Sequence, residues 1–264
     1  MKKITNIFSY LSRSMAGRLA LAAILLATGY LLSFTFALFL PRQVGETLLL
    51  GFLVASLLAA YKKWKEAPLL VILGSLVGFF SEFLGLNFGV PFGSYRYLRF
   101  RNATIFNVPI PIIIAWGTYL YTSYLASLAL TRDKWRRLVL APLLMVLLDL
   151  AIDPAMVSAG FWEWLDTGPW FGIPMLNFVG WFTVSFVATL LYTQITKSTP
   201  EGSPALYLPY LATYPQLFYF ANGEALLAVS ISFTIAILIF GLVLHRYITK
   251  KFSVATRREQ YTHS

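Results

Sequence analysis

The stretch LVLAPLLMVLLDLAIDPAMVS, residues 138–158, decides the fold. Crossing the hydrocarbon core of a bilayer as a helix takes about 20 mostly apolar residues, and this run is long enough. Its only charged side chains are Asp149 and Asp153. Because ionisable residues inside a bilayer are costly, two aspartates in such a run are candidates for a functional site.

Similar apolar runs extend along the whole chain. The clear ones predict transmembrane helices at about residues 16–40, 46–61, 68–86, 108–130, 173–195 and 224–247. The first run is too long for the core of a signal peptide, so we expect it to be retained.

One further stretch, residues 205–221, is ambiguous. It contains Pro209, Pro215 and several tyrosines, which predict a kinked span or a re-entrant segment. The expected fold is therefore an all-α polytopic transmembrane helix bundle, a single integral membrane domain over residues 1–264. Eight spans are favoured, and seven remain the alternative.

The composition excludes several classes of protein. Of the 264 residues, 58% are hydrophobic and 12% are charged, with a mean hydropathy of +0.69. A soluble domain has about 25% charged residues, so a soluble enzyme or a disordered chain is excluded. The sequence contains no cysteine, which excludes disulfides, iron–sulfur clusters and thiol catalysis.

The net charge of +10 reports orientation rather than nucleic-acid binding. With eight spans and both termini in the cytoplasm, all but four of the 21 basic residues fall on the inner side. The four exceptions are Arg42, Arg96, Arg99 and Arg101. We therefore expect a multi-pass protein of the cell membrane with both termini cytoplasmic and no nucleic-acid partner.

The acidic residues show the opposite bias. Seven of the 11 fall at the outer ends of spans or in outer loops: Glu46, Glu82, Asp149, Asp153, Glu163, Asp166 and Glu224. The candidates for chemistry therefore cluster at one membrane level.

Asp149 and Asp153 are four residues apart, which places both side chains on one face of a helix. Pro154 follows directly, so we expect a kink with backbone carbonyls nearby. In a dry pocket one carboxyl group can stay a proton donor while its partner is ionised. The alternative is a pair of polar residues at a helix end near the headgroups.

Glu82 lies near the outer end of the predicted span 68–86. It either faces the aspartates as a third catalytic carboxylate or contacts lipid headgroups. Glu163 and Asp166 lie in an outer loop, and we expect them to be more exposed. Glu224 is expected to cap the last helix, where its charge suits the helix dipole.

The outer loops are rich in aromatic residues. The sequences FGVPFGSYRYLRF and GFWEW supply Tyr95, Tyr97, Trp162 and Trp164. Tryptophan and tyrosine at this depth are typical of an interfacial belt. Alternatively, aromatic faces stabilise cations and apolar walls bind a long hydrophobic substrate.

Several other sites are excluded or weakly supported. The only histidines are His245 and His263, at the cytoplasmic end, so a haem or di-iron site lacks imidazole ligands. No lysine lies inside a predicted span, and there is no P-loop or dinucleotide fingerprint. An Asp-xxx-Asp pair could hold Mg²⁺ on a diphosphate, but the second Asp-rich motif of membrane prenyltransferases is missing. Gly74 and Gly78, with Ser81 nearby, predict close helix packing.

Three stretches resemble a known family. They are FNVPIPIIIAWG at residues 106–117, DLAIDPAMVSAGFWEW at 149–164 and GIPMLNFVGW at 172–181. The third contains Asn177 and Trp181. The stretches are similar to the carotenoid-biosynthesis integral membrane family that contains bisanhydrobacterioruberin hydratase and the carotenoid 1,2-hydratases, and they cover about a third of the chain.

The resemblance implies hydration of the terminal isopropylidene double bond of an acyclic carotenoid that enters from the bilayer. It marks Asp149, Asp153, Trp162, Trp164 and Asn177 as motif positions. Asn177 and Trp181 join the tyrosines and tryptophans of the loops as expected substrate-binding residues.

In such a reaction one aspartate would protonate the alkene and the other would deprotonate water, with aromatic rings shielding the tertiary cation. No cofactor and no metal are expected. The expected partners are the carotenoid, membrane lipid and other enzymes of carotenoid biosynthesis. A lycopene-type cyclase and a carotenoid-binding protein without catalysis stay open as alternatives.

Overall fold

The computed structural model describes residues 17–18, 54, 56–58, 60–61, 64–99, 103–197 and 202–262. The predicted span at 16–40 and most of the one at 46–61 lie outside the described residues. The helices that follow are α1 (Ala67–Phe88), α2 (Ile110–Leu130), α3 (Lys134–Ser158), α4 (Met175–Ile195), α5 (Leu208–Leu211), α6 (Tyr214–Phe220) and α7 (Ala225–Thr262).

In the described part of the chain, five helices are long and apolar enough to cross a membrane. They are α1, α2, α3, α4 and residues Ala225–Thr249 of α7. These five correspond to predicted spans, while the total of eight spans stays a prediction.

Two helices begin a few residues away from the approximate limits of the predicted spans. Helix α3 begins at Lys134, earlier than residue 138, because the Asp133 side chain accepts hydrogen bonds from the amides of Trp135 and Arg136 and caps the helix. Helix α2 begins at Ile110, because Val108 and Pro109 form a short strand instead.

The ambiguous stretch at 205–221 is broken into short pieces. A 3-10 helix, Pro204–Tyr207, precedes α5 and α6, and each of the three pieces has a proline in its first turn. Proline lacks an amide hydrogen and disfavours helix at the residue before it, so the three prolines between residues 204 and 215 favour short pieces over one helix. The expectation of a kinked or re-entrant segment is consistent with this geometry.

Short strands connect the helices at one end of the bundle. They are β1 (Tyr95–Tyr97), β2 (Thr104–Ile105), β3 (Val108–Pro109) and β4 (Trp162–Trp164). β1 and β4 are antiparallel, and this pairing joins the two aromatic loops that the sequence placed far apart. β2 and β3 form a hairpin with Phe106 and Asn107 at its turn, both with positive φ. Asn107 therefore belongs to the turn of this hairpin.

Small residues bring α1 and α2 together. A Cβ atom on Gly74 would lie 2.9 Å from Cα of Gly117, and one on Gly78 would lie 2.3 Å from Cγ of Trp116. The predicted close packing at these glycines is confirmed. α3 packs against α2, α4 and α7, and α1 also packs against α4.

Helix α3 continues through Pro154 to Ser158. Proline at this position removes the hydrogen bond that the carbonyl of Leu150 would accept within the helix. The indole nitrogen of Trp170 donates to that carbonyl instead, at 2.9 Å. A loop side chain therefore satisfies the carbonyl that Pro154 leaves free, while the predicted kink stays a prediction.

Candidate active site

A cavity of about 360 Å³ lies where the ends of α1 and α3 meet the beginnings of α2 and α4. Strands β1 and β4 and the short helix α6 complete its wall. Its lining is mostly aliphatic and aromatic. A volume of this size suits a small ligand or one end of a long one, since ligand pockets span about 300–1,000 Å³.

The structure brings the sequence-predicted substrate-binding residues together on this wall. All six line the cavity: Tyr95, Tyr97, Trp162, Trp164, Asn177 and Trp181. Their role in binding stays a prediction.

Glu82 also lines the cavity, and its side chain is buried. Its Oε2 accepts hydrogen bonds from the hydroxyl groups of Tyr95 at 2.5 Å and Tyr97 at 2.7 Å. Its Oε1 accepts one from Nε1 of Trp116 at 2.8 Å. Three donors around two oxygens match a carboxylate, which can only accept. Glu82 therefore binds protein donors in the structure, whereas the alternative stated above was contact with lipid headgroups.

Asp149 and Asp153 are joined by one amide. Nδ2 of Asn177 donates to Oδ2 of Asp149 at 2.7 Å and also to Oδ2 of Asp153. Oδ1 of Asp153 accepts a further hydrogen bond from Nε1 of Trp162 at 2.8 Å. Asp149 is fully buried and Asp153 is 3% exposed, so neither lies at a solvated helix end.

The two aspartates do not themselves line the cavity, whereas Asn177 and Trp162, which bind them, do. One amide nitrogen donates to both carboxyl groups, so the two lie side by side. Two buried carboxylates this close repel each other, which favours a proton on one of them. The pair can therefore carry one exchangeable proton directly behind the cavity wall.

Glu82 belongs to the same electrostatic cluster. On α1, Glu82 accepts a hydrogen bond from Tyr97, and the ring of Tyr97 lies 5.9 Å from that of Trp162, which donates to Asp153 on α3. Three negative charges in one buried region repel strongly, which again favours at least one neutral carboxyl group.

Tyr95 and Tyr97 remain neutral donors over a wide pH range. Burial raises the pKa of each hydroxyl group above its ordinary value, and the charge of Glu82 raises it further. Both can therefore donate to Glu82 under physiological conditions.

Aromatic rings form the rest of the wall in pairs. Trp116 stacks on Trp181 with a centroid distance of 4.2 Å. The ring centroids of Tyr95 and Trp164 are 5.2 Å apart, and those of Tyr97 and Trp162 are 5.9 Å apart. Such faces attract a positive charge without competing as bases.

The other acidic candidates lie elsewhere. Glu163 pairs with Arg96 across the exposed face of β1 and β4, and Asp166 accepts a 3.3 Å hydrogen bond from the amide of Ser94. Glu224 directly precedes α7. Among the described residues, these three acids are outside the cavity wall, and no three side chains of the metal-binding types converge.

Sequence reasoning missed four polar members of the wall: Trp116, Thr118, Tyr119 and Gln216. Trp116 lies in the quoted stretch 106–117, yet no spacing links it to Glu82 across another helix. Gln216 is an amide residue within the aromatic segment 205–221. A polar amide among aromatic residues was the one feature of the sequence that could have marked it as a site residue.

Comparisons with known proteins identify the family of the chain. A family model described as "Carotenoid biosynthesis protein" matches residues 44–245. The chain is 26% identical over 133 residues to a protein named bisanhydrobacterioruberin hydratase from Haloarcula japonica. That match covers 48% of this chain and 45% of the relative, so the chain matches less than half of that protein. No solved structure matches the chain.

Proposed function

The chain belongs to the carotenoid biosynthesis protein family, and on that premise we propose that it is a membrane-embedded carotenoid hydratase. In this proposal it adds water to the terminal isopropylidene double bond of an acyclic carotenoid. The name of the Haloarcula relative supports the reaction type.

One observation carries the proposal: an apolar, aromatic-walled cavity lies directly beside a cluster of buried carboxyl groups. An alkene offers no hydrogen bonds, so its pocket needs shape and apolar contact. Its hydration needs a strong proton donor and protection for a carbocation. The wall and the carboxyl cluster provide these two requirements side by side.

The substrate enters from the side in this proposal. Within the described part of the chain, Ile110, Pro111 and Ile114 border the cavity and are also exposed on the surface of α2. An apolar border of this kind suits a ligand that is dissolved in lipid. The cavity volume suits one end of the carotenoid, with the remaining polyene left outside.

In the first step the Asp149–Asp153 pair delivers its proton. The less substituted alkene carbon forms a C–H bond with it, and the other carbon becomes a tertiary cation. We assign the transfer to Asp153, which accepts a hydrogen bond from Trp162 on the cavity wall; because Asp153 lies behind that wall, its side chain must rotate toward the alkene to deliver the proton. Asp149, which also lies behind the wall, shares this proton before the transfer.

In the second step water captures the cation. The water oxygen forms the C–O bond, and its extra proton returns to the carboxyl cluster, which restores the starting state. Glu82 and the stacked tryptophans Trp116 and Trp181 stabilise the positive charge between the two steps. The sum is the addition of one water, without oxidation or reduction, so the proposed reaction uses no cofactor.

The test is expression of the chain in a host that accumulates lycopene, followed by mass analysis of the pigments. A hydratase gives a product heavier by one water. A product of equal mass with a shorter chromophore identifies a cyclase instead. Unchanged lycopene in membranes that contain the folded protein contradicts both reactions.

We also propose that the chain lies in the cell membrane with both termini in the cytoplasm. The distribution of basic residues supports this orientation. Fusion of the C-terminus to a reporter that is active only in the cytoplasm tests this orientation. An inactive fusion would contradict an even number of spans with a cytoplasmic N-terminus.

A further inference from the structure

We infer that Gln216 is the positioning residue for the attacking water, and that it directs the carbocation toward hydration. This inference rests on the proposed function. It assigns a role within the site to the broken segment that contains α6.

The side chain of Gln216 is buried, with 7% of its surface exposed, and it lines the cavity. Its Oε1 receives no hydrogen bond from any residue that the structure describes. A buried amide oxygen without a donor is unfavourable unless something else supplies an O–H or N–H group.

Five donors of the wall are committed to the carboxylates, whereas Nε1 of Trp164 is a buried donor without a partner among the described residues. Tyr95, Tyr97 and Trp116 donate to Glu82, while Asn177 and Trp162 donate to the aspartates. An acyclic hydrocarbon has no group that could donate to Gln216. Water is the one reactant of the proposed reaction that has O–H groups, so an acceptor at this point of the wall selects water.

The position of that water decides the product. A tertiary cation forms a C–O bond if a water oxygen lies against it. Without one, it loses a proton from an adjacent carbon and returns to an alkene, or it bonds to an internal double bond and closes a ring. The amide of Gln216 accepts one hydrogen of the water and leaves a lone pair on its oxygen for the cation.

The segment that holds Gln216 is anchored to the bundle. The hydroxyl group of Tyr210 donates to the carbonyl of Leu144 on α3 at 2.8 Å. The hydroxyl group of Tyr214 and Oγ of Ser232 on α7 are 2.9 Å apart and share a hydrogen bond. These contacts tie α5 to α3 and the first residue of α6 to α7, and α6 itself packs against α3, which limits the movement of Gln216.

The experiment measures how the cation partitions. Purified protein in lipid vesicles is incubated with lycopene in D₂O, and both the hydrated product and the deuterium in recovered lycopene are quantified. Deuterium enters recovered lycopene when the cation forms and then loses a proton. Variant Gln216→Met removes the amide at similar length, and Gln194→Met, at an exposed position of α4, is the matched control.

We expect Gln216→Met to lower the ratio of hydrated to deuterated lycopene about tenfold or more, while Gln194→Met leaves it unchanged. The ratio is independent of the amount of folded protein, so partial misfolding does not obscure it. A ratio within about twofold of the wild type, or a parallel loss of both products, overturns the inference. If the wild-type protein yields neither product, the proposed function fails rather than this assignment.

Discussion

Nδ2 of Asn177 donates a hydrogen bond to Oδ2 of Asp149 across 2.7 Å, and this bond ties α4 to α3. The same nitrogen also donates to Asp153. Both hydrogens of one amide are thus used to hold two carboxyl groups in a fixed arrangement. This geometry keeps like-charged groups together in a buried region, where they would otherwise repel.

Replacement of this amide tests the arrangement. Asn177→Leu leaves both carboxyl groups without their common donor, which should lower the free energy of unfolding by about 1.5–3 kcal/mol. Formation of hydrated lycopene should fall at least about tenfold, because the shared proton is no longer held in place. Thermal unfolding in detergent and product analysis measure the two effects.

The matched control is Gln194→Leu, which makes the same kind of change at an exposed position of α4. We expect a change of at most about 0.5 kcal/mol there. An Asn177→Leu variant as stable and as active as this control would contradict the bridging role.

The glycine contact between α1 and α2 leads to a second prediction. In Gly78→Ala the new methyl group would lie 2.3 Å from Cγ of Trp116 and must displace the indole. Overpacking of this kind costs about 1–3 kcal/mol, and it moves the donor away from Glu82. We therefore expect lower stability and lower product yield together.

Gly241→Ala provides the comparison, because a Cβ atom on Gly241 meets nothing within 4 Å among the described residues. Alanine favours helix over glycine, so α7 should be unchanged or slightly stabilised. Equal melting temperatures for the two variants would show that the contact at Gly78 is unimportant.

Tyr95 makes the stability dependent on pH in the alkaline range. Burial raises the pKa of its hydroxyl group above the usual value of about 10, and Glu82 raises it further. The unfolded chain therefore loses this proton at a lower pH than the folded protein does. The stabilisation is fully present below about pH 9 and is lost as the pH rises above about 10.

Comparison of the wild type with Tyr95→Phe isolates this contribution. The decline in the free energy of unfolding above about pH 10 should be shallower in the variant, by up to about 1.4 kcal/mol per pH unit. Between about pH 7 and 9 the difference between the two proteins should stay constant. Parallel curves above pH 10 would mean that Tyr95 titrates alike in both states.

The exposed pair of Arg96 and Glu163 should matter little. Surface ion pairs contribute about 0–1 kcal/mol, and the two side chains are 67% and 37% exposed. We expect Glu163→Gln to unfold within about 1 kcal/mol of the wild type and to form product at a similar rate. A strong loss of activity in this variant would place catalysis in the outer loop rather than in the cavity.

Much of the architecture was predictable because apolar runs of sufficient length have few alternatives. The spans that became α1, α2, α3 and α4 were located to within a few residues. The N-terminal differences arise from local hydrogen bonding: the cap at Asp133 extends α3, and the hairpin at Phe106 and Asn107 shortens α2.

The sequence singled out many of the residues of the site, but it did not predict which of them contact each other. The spacing of Asp149 and Asp153 places them on one helix face, but no pattern shows that Asn177 of another helix bridges them. The contacts of Glu82 were equally hard to predict, because its hydrogen-bond donors lie on β1 and α2 and not on its own helix. Contacts between distant segments depend on helix packing, and a single sequence gives no direct sign of it.

The most direct test of the account compares carboxyl variants in vesicles that contain lycopene. Asp149→Asn and Asp153→Asn preserve shape but remove the exchangeable proton, and Glu163→Gln makes the same change outside the cavity. The account predicts that each aspartate variant folds and forms at most about one hundredth of the wild-type amount of hydrated lycopene, while Glu163→Gln remains fully active. Wild-type rates in both aspartate variants would contradict the proposed acid catalysis.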